Sequence, residues 1–106
     1  MIIYAIDDEQ NALEYITRKI KAAEPDAEIR GFNSATEALE AAKKEPFDVA
    51  FMDIQMPGIT GIELAKKFKK INPKANMIFV TGYSEYTMDA FSVDASGYLL
   101  KPATKD

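Results

Sequence analysis

The sequence predicts an α/β fold: a doubly wound parallel sheet of five strands with helices on both faces. Three observations lead there. Five short apolar or β-branched runs recur along the 106 residues. Three of them (MIIYAI, FDVAFMDI and MIFV) are nearly continuous in apolar residues rather than alternating, as strands buried on both faces are. Stretches of helical periodicity separate the runs.

The first run, Met1–Ile6, is followed by a helix in which Leu13, Ile16, Ile20 and Ala23 recur at spacings of three and four. That helix stops near Glu24, because Pro25 disfavours helical backbone before it. The second strand is Ala27–Phe32. A second helix begins at Ser34, where Ser34-x-x-Glu37 has the form of a capping box, and Ala35, Ala38, Leu39 and Ala42 make its buried stripe. The third strand is Phe47–Ile54. Thr60-x-x-Glu63 repeats the capping box, and Leu64, Ala65, Phe68 and Ile71 form the buried face of a third helix that ends before Pro73. The fourth strand is Asn76–Val80. A weaker helical pattern runs from Ser84 to Phe91, rich in aromatics and poor in strong helix formers. Its Tyr83, Tyr86, Met88 and Phe91 suggest an apolar-aromatic patch, with Tyr83 or Tyr86 open to a partner. The fifth strand is Gly97–Leu100. The order β-α-β-α-β-α-β-α-β implies right-handed crossovers and a flavodoxin-like strand order of 2-1-3-4-5.

Composition narrows the function. Thirteen basic and seventeen acidic residues give a net charge of −4, which disfavours direct nucleic-acid contact. There is no Cys, which removes disulfides, thiolate chemistry and Cys-ligated metals. There is no His, so acid–base work near neutral pH falls to carboxylates, lysines or tyrosines. Apolar runs are too short to span a membrane, and the N-terminus does not read as a signal peptide, so the expected setting is cytoplasmic.

In open α/β sheets, ligands bind outside the carboxyl ends of the strands. There the sequence places Asp7-Asp8-Glu9 after the first run, Asp53 near the end of the third, Thr81-Gly82 after the fourth and Lys101-Pro102 after the fifth. Singly, each has a plain explanation, such as acids favoured at a helix start or a turn before Pro57-Gly58. Together they put chemistry at one sheet edge. Like charges about 4 Å apart repel by about 4 kcal/mol at an effective dielectric of about 20. Asp7, Asp8 and Asp53 in one cleft therefore need protonation or a cation. An all-oxygen set suits a hard ion, Mg²⁺ above others. A carboxylate beside that ion can act as nucleophile toward a phosphoryl group, giving an aspartyl phosphate. Lys101 would neutralise a phosphoryl oxygen and Thr81 would hydrogen-bond another. Neither G-x-x-x-x-G-K-[ST] nor G-x-G-x-x-G is present.

Asp7-Asp8, Met52-Asp53-Ile54-x-Met56-Pro57-Gly58, Thr81 after an apolar strand, and Tyr98-Leu-Leu-Lys101-Pro102 give the chain, from Met1 to Pro102, a resemblance to the receiver domain of bacterial two-component response regulators. The resemblance implies that Asp53 accepts a phosphoryl group from a sensor histidine kinase, whose imidazole supplies what this chain lacks. It implies Mg²⁺ held by Asp8, Asp53 and the main-chain carbonyl of Gln55, with Asp7 assisting through water. It implies Lys101 and Thr81 on the phosphoryl group, Thr81 and Tyr98 as the pair reporting its presence, and Gln55 and Tyr83 tuning its lifetime. The Phe79–Phe91 stretch and Asp94-Ala-x-Gly-Tyr98 are most similar to receivers attached to LytTR-type DNA-binding output domains. On this reading the chain is a self-phosphorylating and self-dephosphorylating switch rather than a metabolic enzyme. The alternatives are a receiver-like interaction module that needs no phosphorylation, working through the fourth-helix face, and a flavin-binding protein of the same fold.

Receivers close with a fifth helix after the Lys-Pro strand end, and Ala103-Thr-Lys-Asp106 reads as the approach to it. The expectation is a single receiver domain over 1–106 lacking most of that helix, with self-association as one way to mask the sheet face beside the first helix.

Overall fold

The computed structural model describes residues 1–54, 56–81 and 97–100, with backbone only for Thr81 and 98–100. The strands are β1 (Ile2–Ile6), β2 (Glu28–Phe32), β3 (Val49–Met52), β4 (Asn76–Thr81) and β5 (Gly97–Leu100). The helices are α1 (Gln10–Ala23), α2 (Ala35–Lys44) and α3 (Gly61–Ile71). All strand pairs are parallel, in the order β2-β1-β3-β4-β5, as the sequence predicts. The helix expected over Ser84–Phe91 and the approach to a fifth helix after Lys101 lie outside the described residues.

Each face of the sheet is covered by a different set of helices. Ile3, Ala5 and Val80 pack with Leu13, Ile16 and Ile20 of α1 on one side. Tyr4, Ile6, Ala50, Met52, Met77 and Phe79 pack with the small face of α2 and with Leu64, Ala65 and Phe68 of α3 on the other. Alternate residues of β1, β3 and β4 therefore serve opposite cores, which is why their runs are continuously apolar.

Element ends follow local chemistry. The α3 capping box is complete: Thr60 Oγ1 accepts from the Glu63 amide at 3.2 Å, and Glu63 Oε1 accepts from the Thr60 amide at 3.1 Å. In α2 only half of the expected box forms, with Ser34 Oγ accepting from the Glu37 amide at 3.3 Å. Gly58 has φ +83°, the conformation that a turn after Met56-Pro57 asks of glycine.

Three expectations are corrected. The third strand is shorter than Phe47–Ile54, and Asp53 lies just past its end. Ala23 and Ile71 are exposed, each being the last residue of its helix.

An aromatic cluster anchors the α2/α3 side. The Tyr4 ring stacks on Phe47 at 4.6 Å and meets Phe32 at 4.9 Å, and Phe68 stands edge-on to Phe47 at 4.8 Å. Arg30, on the edge strand, bonds both Glu28 and Glu45 nearby. The Tyr4 hydroxyl is buried beside the Arg30 guanidinium but makes no well-formed hydrogen bond among the described residues. Burial pushes its pKa above the ordinary 10.0, outweighing the opposing pull of the Arg30 charge.

Replacing Tyr4 by Phe removes a desolvated hydroxyl while keeping the ring. Tyr4→Phe should raise stability by about 1 kcal/mol in urea unfolding. In the wild type the unfolded chain loses the phenolic proton before the folded one does. Stability should therefore fall as pH rises through about 10, with a smaller fall in Tyr4→Phe.

Candidate functional site

The site starts from two strand ends held in register. Ile6 of β1 pairs with Met52 of β3. One residue on, Asp7 and Asp53 lie side by side past the ends of their strands. Their backbones continue the ladders: the Asp7 amide donates to the Phe32 carbonyl at 3.1 Å, and the Asp53 amide donates to the Ile6 carbonyl at 3.2 Å. Both side chains are buried, Asp7 at 0% and Asp53 at 6% exposure, and they are the only buried charged residues among those described. Asp8 follows and is exposed. Asp7 Oδ1 also accepts the Glu9 amide at 3.0 Å, which fixes the chain's turn into α1.

Asp7, Asp8 and Asp53 each offer a carboxylate oxygen, and these oxygens all lie within 4.8 Å of one another. Water is kept from two of the three, so their mutual repulsion is weakly screened. The set is all oxygen and matches what a hard divalent cation such as Mg²⁺ accepts. A groove of about 530 Å³ shares Asp8 and opens beside the site, between the start of α2 at Ser34 and Thr36 and the Met56–Ile59 loop.

The structure thus brings three of the expected site residues together. Thr81 ends β4, the strand beside the one that Asp53 follows, with its backbone paired to Leu100, and Tyr98 pairs with Phe79 from β5, one strand further out. Gln55, Tyr83 and Lys101 lie outside the described residues. One close neighbour has no functional group to announce it: Gly61, at the start of α3, donates its amide to the Ile54 carbonyl at 2.7 Å, directly beneath Asp53.

The response regulator receiver domain model matches residues 3–106. The chain belongs to the receiver-domain family. Receivers of transcriptional and sensory regulators are among its relatives. It is 30% identical over 100 residues to the sensory transduction protein LytT of Bacillus subtilis, covering 94% of this chain and 42% of that protein. It is 35% identical over 100 residues to the transcriptional regulatory protein LytR of Staphylococcus aureus, covering 92% of this chain and 39% of that one. This receiver chain spans about two fifths of the length of these relatives. Among solved structures, the response regulator TrrA of Thermotoga maritima, in complex with Mg²⁺ and BeF, superposes with a TM-score of 0.84 at 33% identity, covering 99% of this chain and 90% of that one. The response regulatory domain of mrkE from Klebsiella pneumoniae superposes with a TM-score of 0.87 at 28% identity, covering 98% and 85%. The fold and the likeness to LytT and LytR regulators thus agree with the sequence reading. Among the described residues no helix is long and apolar enough to cross a membrane.

A cation that binds only the folded receiver should stabilise it by about 2.7 kcal/mol at a hundred times its dissociation constant. Thermal unfolding with and without Mg²⁺ measures this. Asp8→Asn should lose most of the increment. Without divalent ions it should unfold at or slightly above the wild-type temperature, since one repelling charge is gone.

Proposed function

We propose that the chain is the phosphoacceptor switch of a two-component system, taking a phosphoryl group from a sensor histidine kinase onto Asp53. The observation that carries this reading is the convergence of Asp53 with Asp7 and Asp8 at the carboxyl edge of the sheet. Asp53 is buried at the ends of β1 and β3, and Asp8, whose carboxylate lies within 4.8 Å of it, lines an open groove through which a donor could approach. The relative crystallised with Mg²⁺ and BeF supports the same assignment of ligand chemistry.

In the transfer, a carboxylate oxygen of Asp53 attacks the phosphorus. The bond from phosphorus to the donor's imidazole nitrogen breaks, and the imidazole leaves with that electron pair and takes up a proton. The product is an acyl phosphate on Asp53. Asp8, Asp53 and the Gln55 carbonyl would hold Mg²⁺, with Asp7 acting through water. When bound, the ion neutralises charge on the phosphoryl oxygens. Lys101 offers its ammonium to one oxygen and Thr81 its hydroxyl to another. The added charge biases Thr81 and Tyr98 toward a second arrangement, and that shift is the output. Gln55 and Tyr83 tune how long the phosphoryl group lasts.

The output acts on another domain or partner. LytT and LytR are regulators more than twice the length of this chain, which supports a LytTR-type DNA-binding output domain and leaves DNA contact outside the receiver. A cytoplasmic setting fits that role.

Incubation with Mg²⁺ and a small acyl phosphate or phosphoramidate should add one acid-stable, base-labile phosphoryl group, seen by intact-protein mass. Asp53→Ala should take up none; equal labelling of that variant would refute the assignment. Lys101→Ala should slow uptake by on the order of 100-fold, the usual cost of deleting one preorganised charge.

A further inference from the structure

We infer that Gly61 is a positioning residue for Asp53: lacking a Cβ, it lets the first turn of α3 press against the peptide that carries the phosphoacceptor and so sets where that carboxylate stands. The inference rests on the phosphoacceptor reading and deepens it.

A Cβ on Gly61 would fall inside the van der Waals envelope of the Asp53 carbonyl oxygen, and within 2.9 Å of both the Asp53 carbonyl carbon and Ile54 Cα. All three atoms are backbone, so no side chain can swing aside. Gly31 makes a useful contrast: a Cβ there would meet only Leu13 side-chain atoms, at 3.5 Å, which is ordinary contact. The absence of a side chain is thus required at Gly61 and merely tolerated at Gly31. Conformational freedom is not the reason, because Gly61 sits inside a helix, where any L-residue fits.

The peptide beneath Gly61 is gripped from both ends. Upstream, the Asp53 amide is tied to β1 through Ile6. Downstream, Ile54 is buried at 1% exposure, and its carbonyl receives the Gly61 amide. With both ends held, a push on the Asp53 carbonyl is passed to the Asp53 Cα, which carries the carboxylate that stands beside Asp7 and Asp8. The α3 side of the grip is also held: the reciprocal Thr60–Glu63 bonds fix the turn that delivers Gly61. Helix start and phosphoacceptor therefore form one mechanical unit.

If the closeness served packing alone, Gly61→Ala would lower stability and leave metal binding unchanged in the folded fraction. If it positions Asp53, the folded variant should bind Mg²⁺ about tenfold more weakly, the lower end of the loss seen when a supporting partner of a metal site is disturbed. Its phosphorylation by a small acyl phosphate should slow as well. The measurements are Mg²⁺ titration by calorimetry and phosphorylation rates by mass, on the folded 106-residue chain. Asn72→Ala, which removes the Asn72–Phe47 bond at the far end of the same helix, is the control for lost stability. It should keep wild-type Mg²⁺ affinity. If Gly61→Ala does not fold, Thr60→Val and Thr60→Ser replace it. The valine keeps the shape but loses the cap and should weaken Mg²⁺ binding, while the serine restores it. Wild-type Mg²⁺ affinity in folded Gly61→Ala, equal behaviour of the two Thr60 variants, or an equal loss in Asn72→Ala would each overturn the inference. Should the wild type take no phosphoryl group on Asp53, the functional reading falls and the inference with it. If the wild type is labelled and Gly61→Ala is labelled just as fast, only the positioning role falls.

Discussion

Repulsion among carboxylates at one sheet edge is the constraint on which the rest of the structure turns. Asp7, Asp8 and Asp53 crowd their oxygens within 4.8 Å, and two of them are buried. Such an arrangement survives only if the backbone that carries it cannot relax. The parallel ladder supplies that rigidity by continuing past both strand ends, through the Asp7 amide to β2 and the Asp53 amide to β1. The strands are in turn held by two separate cores, one on each face. A sheet covered on one side only could twist and let the charges part; the doubly wound arrangement resists that.

The helices add direction to this rigidity. In α3 the complete capping box and the Gly61–Ile54 bond bring the helix start against the peptide of Asp53, while Leu64, Ala65 and Phe68 bury the rest of it. The Phe68 side chain reaches the Tyr4 and Phe47 cluster, so packing deep under β1 also seats the helix that touches Asp53. The opposite end of α3 is secured separately, by Asn72 to the Phe47 carbonyl and Lys69 to the Ala75 carbonyl. Stability at one end and geometry at the other are thus separable properties of one helix.

Much of this was legible in the sequence because it depends on period and punctuation. Strand order, both caps, the Pro57-Gly58 turn and the gathering of Asp7, Asp8 and Asp53 follow from apolar runs, Ser/Thr-x-x-Glu spacings and the rule about strand ends. What was not legible depends on where surfaces end. Ile71 continues the helical stripe of Leu64 and Phe68, yet it is the last residue of its helix and stands exposed, and periodicity does not report where the covered length ends. The reciprocal half of the Ser34 box is missing although its spacing equals that of Thr60, since a motif constrains which bonds are possible and the surrounding geometry selects among them. Gly61 escaped notice for a plainer reason. Its contribution is an absence of atoms, visible only once the Asp53 carbonyl is seen beneath it.

The same register that gathers the charges bears on how a signal could leave them. Phe32, Ile6, Met52, Phe79 and Tyr98 form one lateral row across all five strands. Asp7 and Asp53 each stand one residue past that row, and Thr81 stands two past it on the strand next to Asp53. In the proposed switch, a charge gained at Asp53 acts first on the end of β4 and then on β5 through the Phe79–Tyr98 and Thr81–Leu100 pairs. It does not have to cross the α1 core or the aromatic cluster around Tyr4. The β1–β3 side would serve as the fixed frame and β4–β5 as the responsive edge. Gripping Asp53 from both sides then has a mechanical use: a nucleophile that cannot yield passes its change of charge outward to residues that can.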